Sequence, residues 1–248
     1  MKRSLLLGVG ALLIAAAVVS YFVLSRLDAL VASAIETHGS AVAGVPVRVA
    51  SVHIELREAR GTIRGLRVGN PEGFSSGDAL RLGEITLALD RASLGATPIV
   101  VEQLRVAAPE ARFEVDAGGR SNFDVIKGNA ERYSASAAGA QEGDEAAGAG
   151  RRIAIRRVEC EGGSVETDVS AVSERTEPYR AELPGLRLQD VGGAQGGTPG
   201  QIGKALVGAF SKAVLRSVAA HEAGRAIEEK IGGPAGKEAG KVLRKLLD

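Results

Sequence analysis

The chain has 248 residues, with 31 Lys and Arg against 30 Asp and Glu, a net charge of +1, three His and no Trp. Cys160 is its single cysteine, which excludes an intramolecular disulfide and with it a disulfide-stapled secreted module. Aromatic residues make up 3 %, too few for the stacking platforms of single-stranded nucleic-acid binders, so no nucleic acid is expected as a partner.

Behind Lys2 and Arg3 runs an unbroken apolar stretch, Ser4 to Leu24. Its 21 residues, at about 1.5 Å each, make a helix of roughly 31 Å, enough to cross a bilayer core. The flanking charges predict a cytoplasmic N terminus and place residues from about 28 onward on the far side. A cleaved signal peptide is the rival reading, but its apolar region runs only about 7–15 residues and ends at a small-x-small site. Here the run ends at Arg26 and Asp28, with Ala32-Ser33-Ala34 lying beyond those charges. The length favours a retained anchor over residues 1–26.

Leu27, Leu30, Val31, Ala34 and Ile35 then recur at helical spacing, predicting a helix to about His38 that Gly39 and Gly44-Val45-Pro46 stop. Strand patterns follow. Val45, Val47 and Val49 alternate, as do Val52, Ile54 and Leu56, with a change of parity that predicts a bulge or bend at Ala50-Ser51. Ile63, Leu66 and Val68 form a third strand with its own break in phase. Asn70-Pro71-Glu72-Gly73 is a turn. Leu80 and Leu82, then Ile85, Leu87 and Leu89, make a long strand; Val101, Leu104, Val106, Phe113 and Val115 continue the pattern. One apolar and one wet face, with few helices between, predict an antiparallel meander.

Residues 134–150 collapse to Ser, Ala, Gly and acidic residues and read as a disordered loop. Strands resume over 151–200, at Ile153 and Ile155, Val158 and Cys160, Val165 to Val169, and Leu183 to Val191. In the tail, 201–248, Ile202, Leu206, Phe210 and Val214 recur every four residues. A second amphipathic helix is predicted after Pro234. Residues 1–26 carry three basic and no acidic side chains, and 201–248 carry nine basic against five acidic, which leaves the middle at −6 for a total of +1. Lys237, Lys241, Arg244 and Lys245 are candidates for contact with anionic headgroups, with a plain solvated helix face as the alternative.

Nothing in the chain points to catalysis. His38, His53 and His221 lie on different elements without metal-ligand spacing, so neither metal nor cofactor is expected. Gly197 to Ala205 lacks the first glycine of a phosphate loop and its Ser/Thr. No G-x-S-x-G elbow occurs. A sheet bearing Val47, Ile54, Ile85, Leu87, Leu89, Val101, Val106 and Phe113 must cover that apolar face with tail helices, a second sheet layer or acyl chains. These eight residues are the candidate lining of a lipid groove.

The order of these features resembles the N-terminal part of AsmA-like envelope proteins. The resemblance is carried by the anchor, the short helix, GVPVRVASVHIELREARGTIRGLRVGNPEGF, ALRLGEITLALDRASL, PIVVEQLRVAAPEARFEV and GGRSNFDVI. Residues 27–133 form the AsmA-like β region, Gly65 to Phe74 is its most specific piece, and GLRLQDVGGAQGGTPGQI is similar to the end of short members. The resemblance implies a curved β-sheet groove, distantly like that of chorein-type lipid-transfer proteins. It implies a non-enzymatic, single-pass protein of the bacterial inner membrane with a periplasmic domain that binds or transfers phospholipid and supports outer-membrane assembly. Ten strands side by side at about 4.8 Å give a groove of roughly 50 Å. That is too short to bridge an envelope alone, so self-association, an envelope protein partner or a shuttling mode is expected. The alternative is a membrane-tethered β-sandwich scaffold that carries no lipid.

Overall fold

The computed structural model describes residues 26–139, 152–172 and 178–231. Ten strands and three helices occur in the order α1 (Leu27–Ala43), β1 (Val47–Arg48), β2 (Ser51–Glu55), β3 (Arg60–Gly69), β4 (Asp78–Leu89), β5 (Ile99–Ala107), β6 (Glu110–Glu114), α2 (Asn122–Gly139), β7 (Ile153–Cys160), β8 (Gly163–Asp168), β9 (Tyr179–Leu183), β10 (Leu186–Val191) and α3 (Pro199–Ile231). All ten strands join one open sheet. The chain is thus mainly β, as the alternation predicted.

The sheet is mixed, not antiparallel. β3 pairs antiparallel with β2 and β4, and β4 with β5, but β5 runs parallel to β7 and β6 parallel to β8. The connection from Glu114 to Ile153 contains α2, and a crossover of that kind lets the chain restart a strand in the same direction. Local periodicity carries no information on strand direction, so the expected meander fails at this point.

Nor do the ten strands lie side by side. β5 and β6 are one line broken at Ala108-Pro109, β7 and β8 another broken at Glu161-Gly162, and β10 and β9 a third broken at Pro184-Gly185. The breaks abut. Ser164 N–H donates to the Pro109 carbonyl at 3.0 Å and Glu161 N–H to that of Val106 at 2.9 Å. Gly163 lies so close to Pro109 that a Cβ there would fall 2.0 Å from its carbonyl oxygen, which requires glycine. Beyond β4 the sheet therefore forks into one arm of β5, β7 and β10 and another of β6, β8 and β9. From β2 to β10 there are five inter-strand gaps, roughly 24 Å at about 4.8 Å each, half the width expected from sequence.

Breaks of phase within the strands align in rows. Ile63 faces Ile85 and Leu66 faces Leu82, so β3 and β4 change parity together, across Gly65 and Gly83. Val101, Ile155 and Val191 form one row and Leu104, Val158 and Leu188 the next, so β5, β7 and β10 also change together. Partner strands advance equally through each row, so the register holds and the apolar residues on either side of the break stay in one cluster. The opposite face is wet and carries cross-strand ion pairs, Arg64–Glu84 at 3.0 Å, Arg105–Glu159 at 3.4 Å and Arg112–Glu166 at 3.5 Å.

α1 runs five residues past the predicted stop at His38. Gly39 is tolerated inside it, and Gly44, at a φ of 66°, forms the left-handed C-cap. Asp28, Glu36 and Ser40 share one stripe of α1 and accept the outward N–H groups of Ile54 (2.9 Å), Val49 (2.9 Å) and Val47 (2.8 Å). Polar side chains of α1 thus seal the open edge of β1 and β2.

α2 is absent from the sequence reading, and it overturns the expected disordered loop for residues 134–139. Its start is a capping box. The Asp124 N–H donates to Ser121 Oγ at 3.1 Å, and the Ser121 N–H returns to Asp124 Oδ2 at 3.3 Å. The rest of the predicted loop, the apolar run Ser4–Leu24 and the helix after Pro234 lie outside the described residues. Among the described residues no helix is long and apolar enough to cross a membrane.

Candidate functional site

The apolar face is covered differently on its two arms. On the β6–β8–β9 arm, Ala111, Phe113, Val165, Ala181 and Leu183 pack against Phe123 of α2 and Val214 and Val218 of α3. Phe113 and Phe123 stack at a centroid distance of 6.5 Å. Val165 and Val214 are fully buried, so this half is closed.

On the other arm the three helices stand off the sheet and leave a half-open cavity of about 450 Å³. Its floor comes from β3, β4, β5, β7 and β10, through residues such as Leu82, Leu104 and Leu186. Its roof is α1 (Ile35, His38, Val42), α2 (Ile126) and α3 (Ile202, Leu206, Phe210). The volume falls within the range of small-molecule pockets, roughly 300–1,000 Å³. The lining is almost wholly hydrocarbon, so an apolar ligand would lose no hydrogen bonds on entering.

Polar groups on the wall are few. His38 is exposed at the edge. Ser211 is buried, and its hydroxyl has no hydrogen-bond partner among the described residues. Cys160 is a buried free thiol; burial, and then the charge of Glu161, push it up to about 11, so it stays protonated at neutral pH. Of the other histidines, His53 lies 3.4 Å from Asp28 in an exposed pair and His221 stacks on Tyr179. Among the described residues no group of three His, Cys, Asp or Glu is placed to hold a metal ion.

Three of the eight residues read as a groove lining reach the cavity: Val47, Ile85 and Val106. Ile54, Leu87, Leu89 and Val101 share the apolar face but are packed beside it, Ile54 near Val31 and Ile35 of α1 and the others toward Ile202 and Leu206 of α3. Phe113 belongs to the closed arm, because the break at Ala108-Pro109 separates its strand from the cavity. Of the roof, the α1 spacing that includes Ile35 and the α3 stripe were legible as helices, and α2 was not. For α2 a signal existed in the Ser121-x-x-Asp124 box followed by Phe123, Ile126 and Ala130 at helical spacing. Lys237, Lys241, Arg244 and Lys245 lie outside the described residues.

The Gly65–Phe74 and GGRSNFDVI segments meet in a buried polar network under the closed arm. Asn122 is fully buried and uses both ends of its amide. Its Oδ1 accepts the N–H groups of Glu114 (3.1 Å) and Phe123 (3.0 Å), and its Nδ2 donates to Asn70 Oδ1 (2.8 Å) and the Arg112 carbonyl (2.7 Å). Glu114 accepts from Asn70 Nδ2 at 2.9 Å and from the Ser75 N–H at 2.8 Å. Every member is satisfied, which suits a structural clasp rather than a reactive centre.

No protein-family model matches the chain, and no curated protein sequence matches it.

Proposed function

We propose that the cavity between the helices and the β3–β4–β5–β7–β10 face holds an acyl chain of a membrane lipid, most simply a phospholipid. The chain would then act as a lipid-binding or lipid-transfer protein of the AsmA-like kind. The observation that carries this reading is the contrast within one face: a continuous apolar surface, half closed by its own side chains and half left as a hydrocarbon-lined cavity. Burial of about ten methylenes at about 0.8 kcal/mol each supplies roughly 8 kcal/mol, micromolar affinity before ordering costs. The role follows from binding and needs no catalytic group. The apolar run Ser4–Leu24 favours an inner-membrane anchor with the β domain in the periplasm, where the lipid cargo and an envelope partner would be met.

A photo-crosslinking amino acid placed at Leu188, on the cavity floor, and in a second variant at exposed Leu215 tests this in cells expressing the full chain. A phospholipid adduct at 188 and none at 215 is the expected result. Equal labelling, or none at either position, would reject a lipid site and leave the tethered scaffold as the better reading.

A further inference from the structure

Five large apolar side chains are exposed among the described residues: Leu30, Leu56, Leu94, Val172 and Leu215. Scattered singly they would need no explanation. Three of them gather at one end of the molecule. Leu56, 47 % exposed, sits in the β2–β3 turn, and Leu94, 41 % exposed, in the β4–β5 loop. Those two loops are neighbours, since the Leu89 N–H donates to the Ala59 carbonyl at 2.8 Å. The start of α1 lies at the same end, fastened by Asp28 to the Ile54 N–H, and Leu30 follows within one turn, 57 % exposed.

This is also the end at which the chain arrives from Ser4–Leu24, because only Ser25 and Arg26 separate that apolar run from α1. The far end differs. Its turns, Asn70–Gly77 and Asp116–Arg120, expose Glu72, Ser75, Ser76, Arg120 and several glycines. Among the described residues it shows a single exposed large apolar side chain, Val172, in the turn after β8, whose Asp168 carbonyl accepts the Val115 N–H at 3.1 Å.

We propose that the end formed by the β2–β3 turn and the β4–β5 loop rests on the bilayer surface, with Leu56 and Leu94 set into the headgroup region beside the start of α1. The proposal rests on Ser4–Leu24 being a retained anchor. Arg57 and Arg91 flank the leucines but Glu58 and Asp90 offset them, so apolar contact carries the seating rather than net charge. A tether two residues long holds the loops at high effective concentration, so a weak contact suffices. Seated this way, Ile35, the first cavity residue of α1, stands eight residues along the helix from Leu27, about 12 Å above its start. That is the distance a tail must travel from the outer leaflet along α1 to the cavity.

The test uses the full chain with Cys160→Ala and one spin label, at Leu56→Cys, Leu94→Cys or, at the far end, Ser76→Cys. Each variant is reconstituted in vesicles of phosphatidylethanolamine and phosphatidylglycerol. Collision with oxygen is compared with collision with a water-soluble nickel complex. Positions 56 and 94 should favour oxygen and be shielded from nickel several-fold relative to 76. Equal nickel access at all three positions, in protein that resists carbonate extraction, would overturn the seating alone. A chain that carbonate releases would overturn the anchor reading and the seating with it.

Discussion

Both arms of the sheet present alternating apolar residues to α2 and α3, with α1 over the β5–β7–β10 arm alone, yet one is a sealed core and the other a cavity. On the β6–β8–β9 arm, Phe113, Phe123 and Phe210 bring three rings together, and Val165, Val214 and Leu183 fill what remains. On the other arm the floor is aliphatic, and half-buried Leu66, Leu82, Leu104, Leu186 and Leu188 pack only in part against Ile35, Ile202, Leu206 and Phe210 of the roof and line the space left between. Close packing of a face therefore depends on what lies opposite, not on the pattern of the strand.

The sharpest way to break that comparison is to place a carboxylate in each arm. Val165→Asp puts a charge where exposure is nil, and the full chain should lose more than about 4 kcal/mol or fail to fold, as read by urea denaturation in detergent. Asn122→Ala, under the same arm, orphans two N–H donors, a carbonyl and the Asn70 amide and should cost about 3 kcal/mol. Leu104→Asp, facing the half-open cavity, should cost only about 2 kcal/mol and abolish lipid crosslinking at Leu188. Equal losses for Val165→Asp and Leu104→Asp would show that both arms are closed, and the contrast would disappear. Leu104→Trp sharpens the same point by filling the cavity: stability should change by less than about 1.5 kcal/mol while the crosslink falls at least tenfold.

Smaller effects are expected at the margins of the cavity half. Ser40→Ala leaves the Val47 N–H without its acceptor on the sealed edge and should cost about 1 kcal/mol. The Cys160 thiol should react slowly with a small thiol reagent at pH 7.5 and faster as pH rises toward 11, with bound lipid slowing it further. Because burial raises its folded pKa, the fold favours the protonated thiol. That contribution is complete below the unfolded value near 9 and is lost as pH climbs from there toward 11.

Much of the secondary structure was legible because alternation is a local property. Ile85, Leu87 and Leu89 declare a strand with one dry face whatever they pair with, and the spacing of Ile202, Leu206, Phe210 and Val214 declares a helix with an apolar stripe. The breaks of phase at Ala50-Ser51 and between Ile63 and Leu66 were legible too: the first falls at the gap between β1 and β2, and the second at Gly65 inside β3, at a φ of 61°. α2 was hidden by its polar composition, although its capping box stood in plain view at Ser121 and Asp124.

Of the site, the sequence alone named Val47, Ile85 and Val106 and the existence of an apolar face needing cover. It determined which residues face inward, because a period of two is written in the chain. Only the tertiary structure decided that β5 and β7 run parallel, that the strand lines break together at Pro109, Gly162 and Gly185, and that α1 seals one edge. These are relations between segments distant in the chain, as far apart as Pro109 and Gly185, set by which surfaces meet and by the volume left between them. The cavity is such a remainder: it belongs to no segment, and its size follows from the mismatch between an aliphatic floor and the helices above it.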